Sequence, residues 1–210
     1  MKSVVVIAIA FLALPASAQR RVDVFVDAEA VRRTGTVTDF SGPTRFEPSF
    51  RPGAGIGGGF NLFVSDRLSF EAKVAGLGTK SRIRVVGSDF IAIADLGWAQ
   101  IYPISVVLQW HLLEHGTVRP YIGAGVVHTI LKNINERFGP SATGVHFKDP
   151  NGLVIDGGLE FNISRQWKLL ADARYVPIET QSRATFPGTT SSVDLHVRPA
   201  IVSFGLGYRF

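Results

Sequence analysis

The chain has 210 residues, 46% of them apolar, with 22 glycines, 15 phenylalanines and a formal charge of +5. It has no cysteine, which excludes disulfide staples and thiolate metal sites. Lys and Arg are scattered and not interleaved with stacking aromatics, so nucleic acid is not an expected partner. No uninterrupted apolar run reaches the ~20 residues of a spanning helix, and the nearest, 101–108, contains Pro103.

Lys2, the apolar run Ser3 to Pro15 and then Ala16-Ser17-Ala18 read as a secretory signal peptide over residues 1–18, cleaved at an A-x-A site. Residues 19–210 hold no Ser-, Pro- or charge-rich divider and are expected to form one domain. Eight segments of that domain alternate with a period of two. The first sets Val22, Val24, Val26, Ala28 and Ala30 against Asp23, Phe25, Asp27 and Glu29. In the second, Phe50, Ala54, Ile56, Phe60, Leu62 and Val64 oppose Arg51, Gly53, Gly55, Gly57, Gly59 and Asn61. The third sets Leu68 to Val74 in steps of two against Ser69, Glu71 and Lys73, and the fourth carries Leu96, Trp98 and then Tyr102 to Leu112 on its apolar side. The fifth to eighth apolar sets begin at Ile122, Leu153, Trp167 and Ala200, the last closing on Phe204, Leu206, Tyr208 and Phe210.

None of the eight apolar sets contains Asp, Glu, Lys or Arg. A charge facing lipid at mid-membrane costs ~2–4 kcal/mol, so hydrocarbon surroundings would select such clean faces. A soluble ligand-binding barrel alternates equally well but turns its apolar face inward. Three features favour a membrane. The connections Ser65-Asp66-Arg67, Glu114 to Val118 and Ser164-Arg165-Gln166 are short, whereas those around 34–48, 79–95, 132–150 and 179–192 are long, as periplasmic turns and extracellular loops are. The polar class mixes both signs, as in Glu71 with Lys73 and Asp172 with Arg174, which suits an interior. Aromatics fall at strand ends, with Trp110, Trp167, Tyr208 and Phe210 on the turn side and Trp98 and Tyr175 towards the loops. The expected fold is all-β, an eight-stranded antiparallel transmembrane barrel of the cell outer membrane.

The segment Arg119-Pro120-Tyr121-Ile122-Gly123-Ala124-Gly125-Val126 and the closing Gly205-Leu206-Gly207-Tyr208-Arg209-Phe210 resemble the signatures of the OmpW family of outer-membrane proteins. Ala171 to Thr180, Val193-Asp194-Leu195 and Arg198-Pro199 fit the same pattern. The resemblance implies a long, narrow barrel through which small and often hydrophobic molecules enter or cross, with no enzyme activity and no cofactor. In that family the inward positions midway along the third and seventh strands tend to be apolar and to constrict the channel; the matching places here are Lys73 and Arg174. The expected partners are outer-membrane lipids and lipopolysaccharide, small hydrophobic solutes, and the barrel-assembly machinery through the strand ending at Phe210.

Three motifs carry other readings. His111-x-x-Glu114-His115 spells a zinc signature, but it straddles a strand end and a turn, where its histidines cannot converge as on a helix. Gly53-x-Gly55-x-x-Gly58 spells a dinucleotide fingerprint without a following helix. Gly53, Gly55, Gly57 and Gly59 instead share one strand face, which would leave clearance for inward side chains or a permeant, or serve barrel curvature. His128, on the lipid-facing class, would be the base of a lipid hydrolase only with a nucleophile and an acid beside it, and its neighbour there is Ile130.

The lumen is therefore where function is expected, lined by Asn61, Glu71, Lys73, Asp156, Glu160, Asp172 and Arg174, with Arg209 nearer its end. Lys73 and Arg174 should lie at similar depth and take Glu71, Asp156, Glu160 and Asp172 as counter-charges. Such a network is either a salt-bridged plug in a closed structural or surface-interaction barrel, or a polar constriction that selects what passes.

Overall fold

A computed structural model describes residues 21–37, 45–50, 52–86, 91–132, 144–147, 150–186 and 189–210. The signal-peptide segment 1–18 and most of the connection from Lys132 to Pro150 lie outside them. Eleven strands are present among the described residues, in chain order β1 (Val22–Val37), β2 (Arg45–Phe50), β3 (Gly53–Phe63), β4 (Leu68–Val86), β5 (Ile91–His111), β6 (Val118–Lys132), β7 (Gly144–Phe147), β8 (Asn151–Asn162), β9 (Trp167–Tyr175), β10 (Ile178–Phe186) and β11 (Thr189–Arg209).

Eight of them close a barrel in the order β1-β3-β4-β5-β6-β8-β9-β11, every neighbouring pair antiparallel, with β11 returning to β1. That last seam runs from Asp23↔Arg209 to Val37↔Leu195, so the first and last strands leave no open edge. Closure is what makes strands viable in lipid, because each backbone N–H and C=O finds a partner within the sheet.

The three short turns and both ends of the barrel wall lie at one rim, tied by backbone hydrogen bonds from His111 N to Arg67 O, Asn162 N to Thr117 O, Arg209 N to Gln166 O and Phe210 N to Val22 O. At the other rim the long connections are built largely from more strand. β1 continues to Val37, β4 and β5 pair out to Val86↔Ile91, and β10 forms a hairpin with β11. β2 extends the wall beyond β3 on β4, and β7 adds to β10. One break has a local cause: the β4–β5 ladder skips Ala75 and Gly76 opposite Pro103 and Tyr102, where Pro103 has no N–H to give.

The burial pattern runs opposite to that of a soluble protein. Ile56 is 75% and Phe204 67% exposed, while Asp23, His111 and Glu160 are completely covered. Apolar faces therefore point away from the barrel axis and polar ones into it, which excludes the soluble ligand-binding reading. Trp167, Tyr208 and Phe210 stack edge to face at 5.0 Å spacings outside the turn rim, as an interfacial girdle does. Tyr175 is exposed towards the opposite end, and the side chain of Trp98 lies outside the described residues.

Candidate functional site: the lumen

The inward side chains change character with depth. Nearest the turns lies a floor built on Phe63, the last inward residue of β3. The guanidinium of Arg21 sits 3.4 Å over the Phe63 ring centroid, and His111 packs on the same ring at 5.0 Å. Lys168 Nζ bridges Asp23 Oδ2 at 2.8 Å and Glu160 Oε1 at 2.5 Å. Arg119 meets Glu160 at 3.3 Å and also donates to the backbone carbonyls of Leu113 and Asp66, which fixes two neighbouring turns against the floor. Arg209 contacts Asp23 at 3.5 Å and donates to Asn162.

Above the floor lies a band of charge in two clusters. Arg174 of β9 meets Glu71 at 2.5 Å, Asp172 at 2.7 Å and Asp156 at 3.7 Å. Gln109 donates to both Glu71 and Asp156, and the Tyr121 hydroxyl donates to Asp172 at 2.9 Å. Lys73 of β4 faces the other way, to Asp27 at 2.5 Å and Glu29 at 2.6 Å on β1. Among the described residues, five carboxylates of this band (Asp27, Glu29, Glu71, Asp156 and Asp172) surround two cations, Lys73 and Arg174. Asp27 Oδ1, Glu29 Oε2 and Asp156 Oδ1 are buried without a hydrogen-bond partner.

The third layer is apolar and was not anticipated. Val31, Leu77, Ile101, Val107, Val127, Val154, Val176 and Ile201 point inward and form one contiguous buried cluster, with Val107 opposite Glu71 and the others towards the loop side of the charges. Six of the eight barrel strands contribute, Val176 follows directly on β9, and β3 places Gly53 opposite Val31. Ring and band meet around a cavity of ≈ 20 Å³ for the centre of a water-sized sphere, about one water molecule. Its walls are Ala75, Pro103, Val127, Val154, Val176 and Ile201, and its polar side is Glu29, Lys73, Ser105 and Arg174.

Of the seven residues expected to line the lumen, all face inward and are buried. Glu71, Asp156 and Asp172 gather on Arg174, as the sequence suggested. Glu160 does not join them: the β8–β9 register places Asp156 opposite Arg174 but Glu160 opposite Leu170, which gives Glu160 to Lys168 in the floor. Lys73 takes its partners from β1, not from Glu71. Asn61 is buried with its Oδ1 unpartnered. Sequence reasoning left out Arg21, Arg119 and Lys168, and also did not assign Asp23, Asp27 and Glu29 to the network although their parity class was already the inward one.

Among the inward glycines, Gly57 takes the clearance role. A Cβ at Gly57 would lie 2.5 Å from Asp27 Oδ1 and 2.9 Å from Lys73 Cε, so this glycine makes room for the Lys73 cluster. At Gly55 and Gly59 the obstruction is the backbone carbonyl of the adjacent strand, which is close wall-to-wall packing. The zinc-like motif separates as its context implied: His111 is buried with Nε2 3.0 Å from Ser69 Oγ, while Glu114 lies in the turn and pairs with Arg67. His128 is exposed on the outer face against Asn151 at 2.7 Å.

An apolar exterior, a closed antiparallel wall and a charged interior define a transmembrane barrel of the outer-membrane class. The chain belongs to the OmpW family, which it matches over residues 21–210. It is 25% identical over 173 residues to outer membrane protein W of Vibrio cholerae serotype O1, covering 80% of this chain and 78% of that protein. A match to outer membrane protein W of Salmonella typhi is 28% identical and spans 57% of this chain and 58% of that protein. The crystal structure of OprG from Pseudomonas aeruginosa superposes with a TM-score of 0.75 at 17% identity, over 92% of this chain and 96% of that one. The AlkL structure in lipid bilayers gives 0.60 at 19% identity, over 94% of each chain. The protein is an outer-membrane β-barrel.

Proposed function

We propose that the barrel takes up small apolar molecules through its loop-side mouth. The observation that carries this reading is the inward apolar ring. A barrel that served only as a membrane-embedded support has no need of valine, leucine and isoleucine around the axis above a charged band, whereas a pocket for apolar solutes is lined in this way. One relative's name agrees: this chain is 23% identical over 151 residues to the dibenzothiophene metabolism operon protein PahQ of Pseudomonas aeruginosa. Dibenzothiophene is itself a small apolar molecule.

The ring side chains are buried against one another, the cavity beneath them holds about one water and two charged layers follow, so a solute passes only when side chains turn aside. The same closure supports the competing reading, a structural or surface-interaction barrel that conducts nothing. Lysis-free liposomes containing the refolded protein should take up a small apolar solute faster than empty liposomes, with little ionic conductance across a planar bilayer. Uptake equal to that of empty liposomes would favour the structural reading. The outward aromatic girdle and apolar belt are proposed to contact outer-membrane lipids and lipopolysaccharide. The strand ending at Phe210 is proposed to engage the barrel-assembly machinery during insertion. No catalytic role is proposed for any residue.

A further inference from the structure

At the loop-side edge of the apolar belt, the outward face of β1 and β11 carries two arginines. Arg32 lies opposite Ala200, and Arg198 is one outward position further along β11, so the two are diagonal neighbours with Cα atoms about 7–8 Å apart. Both side chains are exposed, and neither meets a carboxylate among the described residues. Glu179, a nearby carboxyl by its register opposite His196, has its side chain outside them. On the other side of Ala200 stands Tyr175 of β9, directly opposite it and 41% exposed. Ala200 is thus the base of a notch in the outer wall, with two guanidinium groups and a phenol around it.

The notch stands at a membrane interface. Ten residues of β11 separate Arg198 from Tyr208 of the turn-side girdle, about 33 Å of strand, which a tilt of ~40° reduces to about 25 Å, the height of a barrel's apolar band. Below the notch the wall stays low. Ala30 lies between Ala54 and Val202, and Ala28 between Ile56 and Phe204, which flank a lipid-facing groove. Ala28 is four residues from Arg32, about 13 Å of strand, within the ~15 Å depth of one leaflet.

We propose that the notch seats the phosphate of an acylated lipid of the loop-side leaflet, with a tail laid over Ala30 and Ala28. Two cations this close repel until an anion stands between them, and the planar fork of arginine matches phosphate oxygens two at a time. The Tyr175 hydroxyl donates a further hydrogen bond to the same group. Free phosphate would satisfy these donors but has no tail for the low track beneath them.

The site is independent of uptake and rests on the reading of girdle and belt as lipid-facing. The experiment is native mass spectrometry of the refolded barrel in detergent, titrated with diphosphoryl lipid A, with its phosphate-free analogue and with inorganic phosphate. One diphosphoryl lipid A per barrel is expected to bind at a concentration about tenfold below that of the phosphate-free analogue, and an equal concentration of inorganic phosphate should not displace it. Arg32→Gln with Arg198→Gln should remove that preference. Ala200→Leu, which fills the notch and keeps both charges, should remove it as well. All three positions face out of the wall, and heat-dependent gel mobility checks that each variant folds. A preference unchanged in the double variant overturns the site. A preference lost there but intact in Ala200→Leu also overturns it, since charge without the notch would then suffice. Displacement by an equal concentration of inorganic phosphate gives the arginines to the free anion and overturns the lipid. If neither lipid binds while the barrel still inserts into vesicles, the site fails and the lipid-facing belt stands; if the barrel does not insert, the belt fails and the site with it.

Discussion

Arg174→Met is expected to destabilise the folded barrel by about 3–5 kcal/mol, read as a fall in the urea midpoint for unfolding from lipid vesicles. The arginine is the one cation in contact with Glu71, Asp156 and Asp172 among the described residues, and methionine keeps its length while removing the charge. Three carboxylates would then share a buried site with Gln109, Tyr121 and the Ser203 hydroxyl to meet them. The cost comes from stranding those charges more than from losing the attraction, because desolvated ion pairs contribute little net stability when both partners are removed together. Adding Glu71→Gln to Arg174→Met should therefore recover part of the loss. An unchanged midpoint in the single variant would mean that the carboxylates are solvated in place and that the lumen is wetter than its burial implies.

The second large effect concerns conduction. Lys73→Ala with Arg174→Ala removes both cations of the band and should widen the middle of the lumen at some cost in stability. The floor then stands in series with it, closed by Phe63 under Arg21 and by Lys168 bridging Asp23 and Glu160. Resistances in series are set by the narrowest, so the double substitution alone should raise single-channel conductance only modestly. Combining it with Phe63→Ala and Lys168→Ala should raise conductance several-fold over either pair. A full rise from the first pair would show that the floor is already permeable. No rise with all four changed would show that the path is blocked above the charges, at the apolar ring.

The wall was legible in the sequence because lipid imposes a rule on every residue that faces it: a single charge in Val24, Ile56, Ile104 or Phe204's class would have been expensive, and none is there. The lumen obeys no such one-residue rule. Parity tells which residues point inward but not which of them meet, since partners are set by hairpin register and by approach across the barrel. Glu160 and Arg174 are inward on adjacent strands, yet the turn at 164–166 fixes pairs four positions apart, Asp156 with Arg174 and Glu160 with Leu170. Lys168, inward by the same parity, was the readable partner of Glu160. Lys73 reaches Asp27 and Glu29 past the glycines of β3, a contact between strands that are not neighbours in the sheet.

The apolar ring was hidden for a different reason. Val31, Leu77, Ile101 and Val127 are apolar residues of the inward class with Arg32, Gly76, Gln100 and His128 beside them on the outward one, so the alternation that located the lower wall fades there. Lys73 and Arg174 stand where the family resemblance implied apolar residues, and buried apolar side chains, Ala75 and Val176, follow two residues further along the chain in each case.

That ring is the centre of the functional reading, and blocking it is the most direct test. Ala75→Trp would place an indole in the cavity at the junction, at a packing cost of about 1–3 kcal/mol that heat-dependent gel mobility can show the barrel survives. Liposomes carrying the unaltered protein should take up a small apolar solute faster than empty liposomes, and those carrying Ala75→Trp should fall to the empty-liposome rate. Equal uptake by the folded variant and the unaltered protein would contradict passage through the ring.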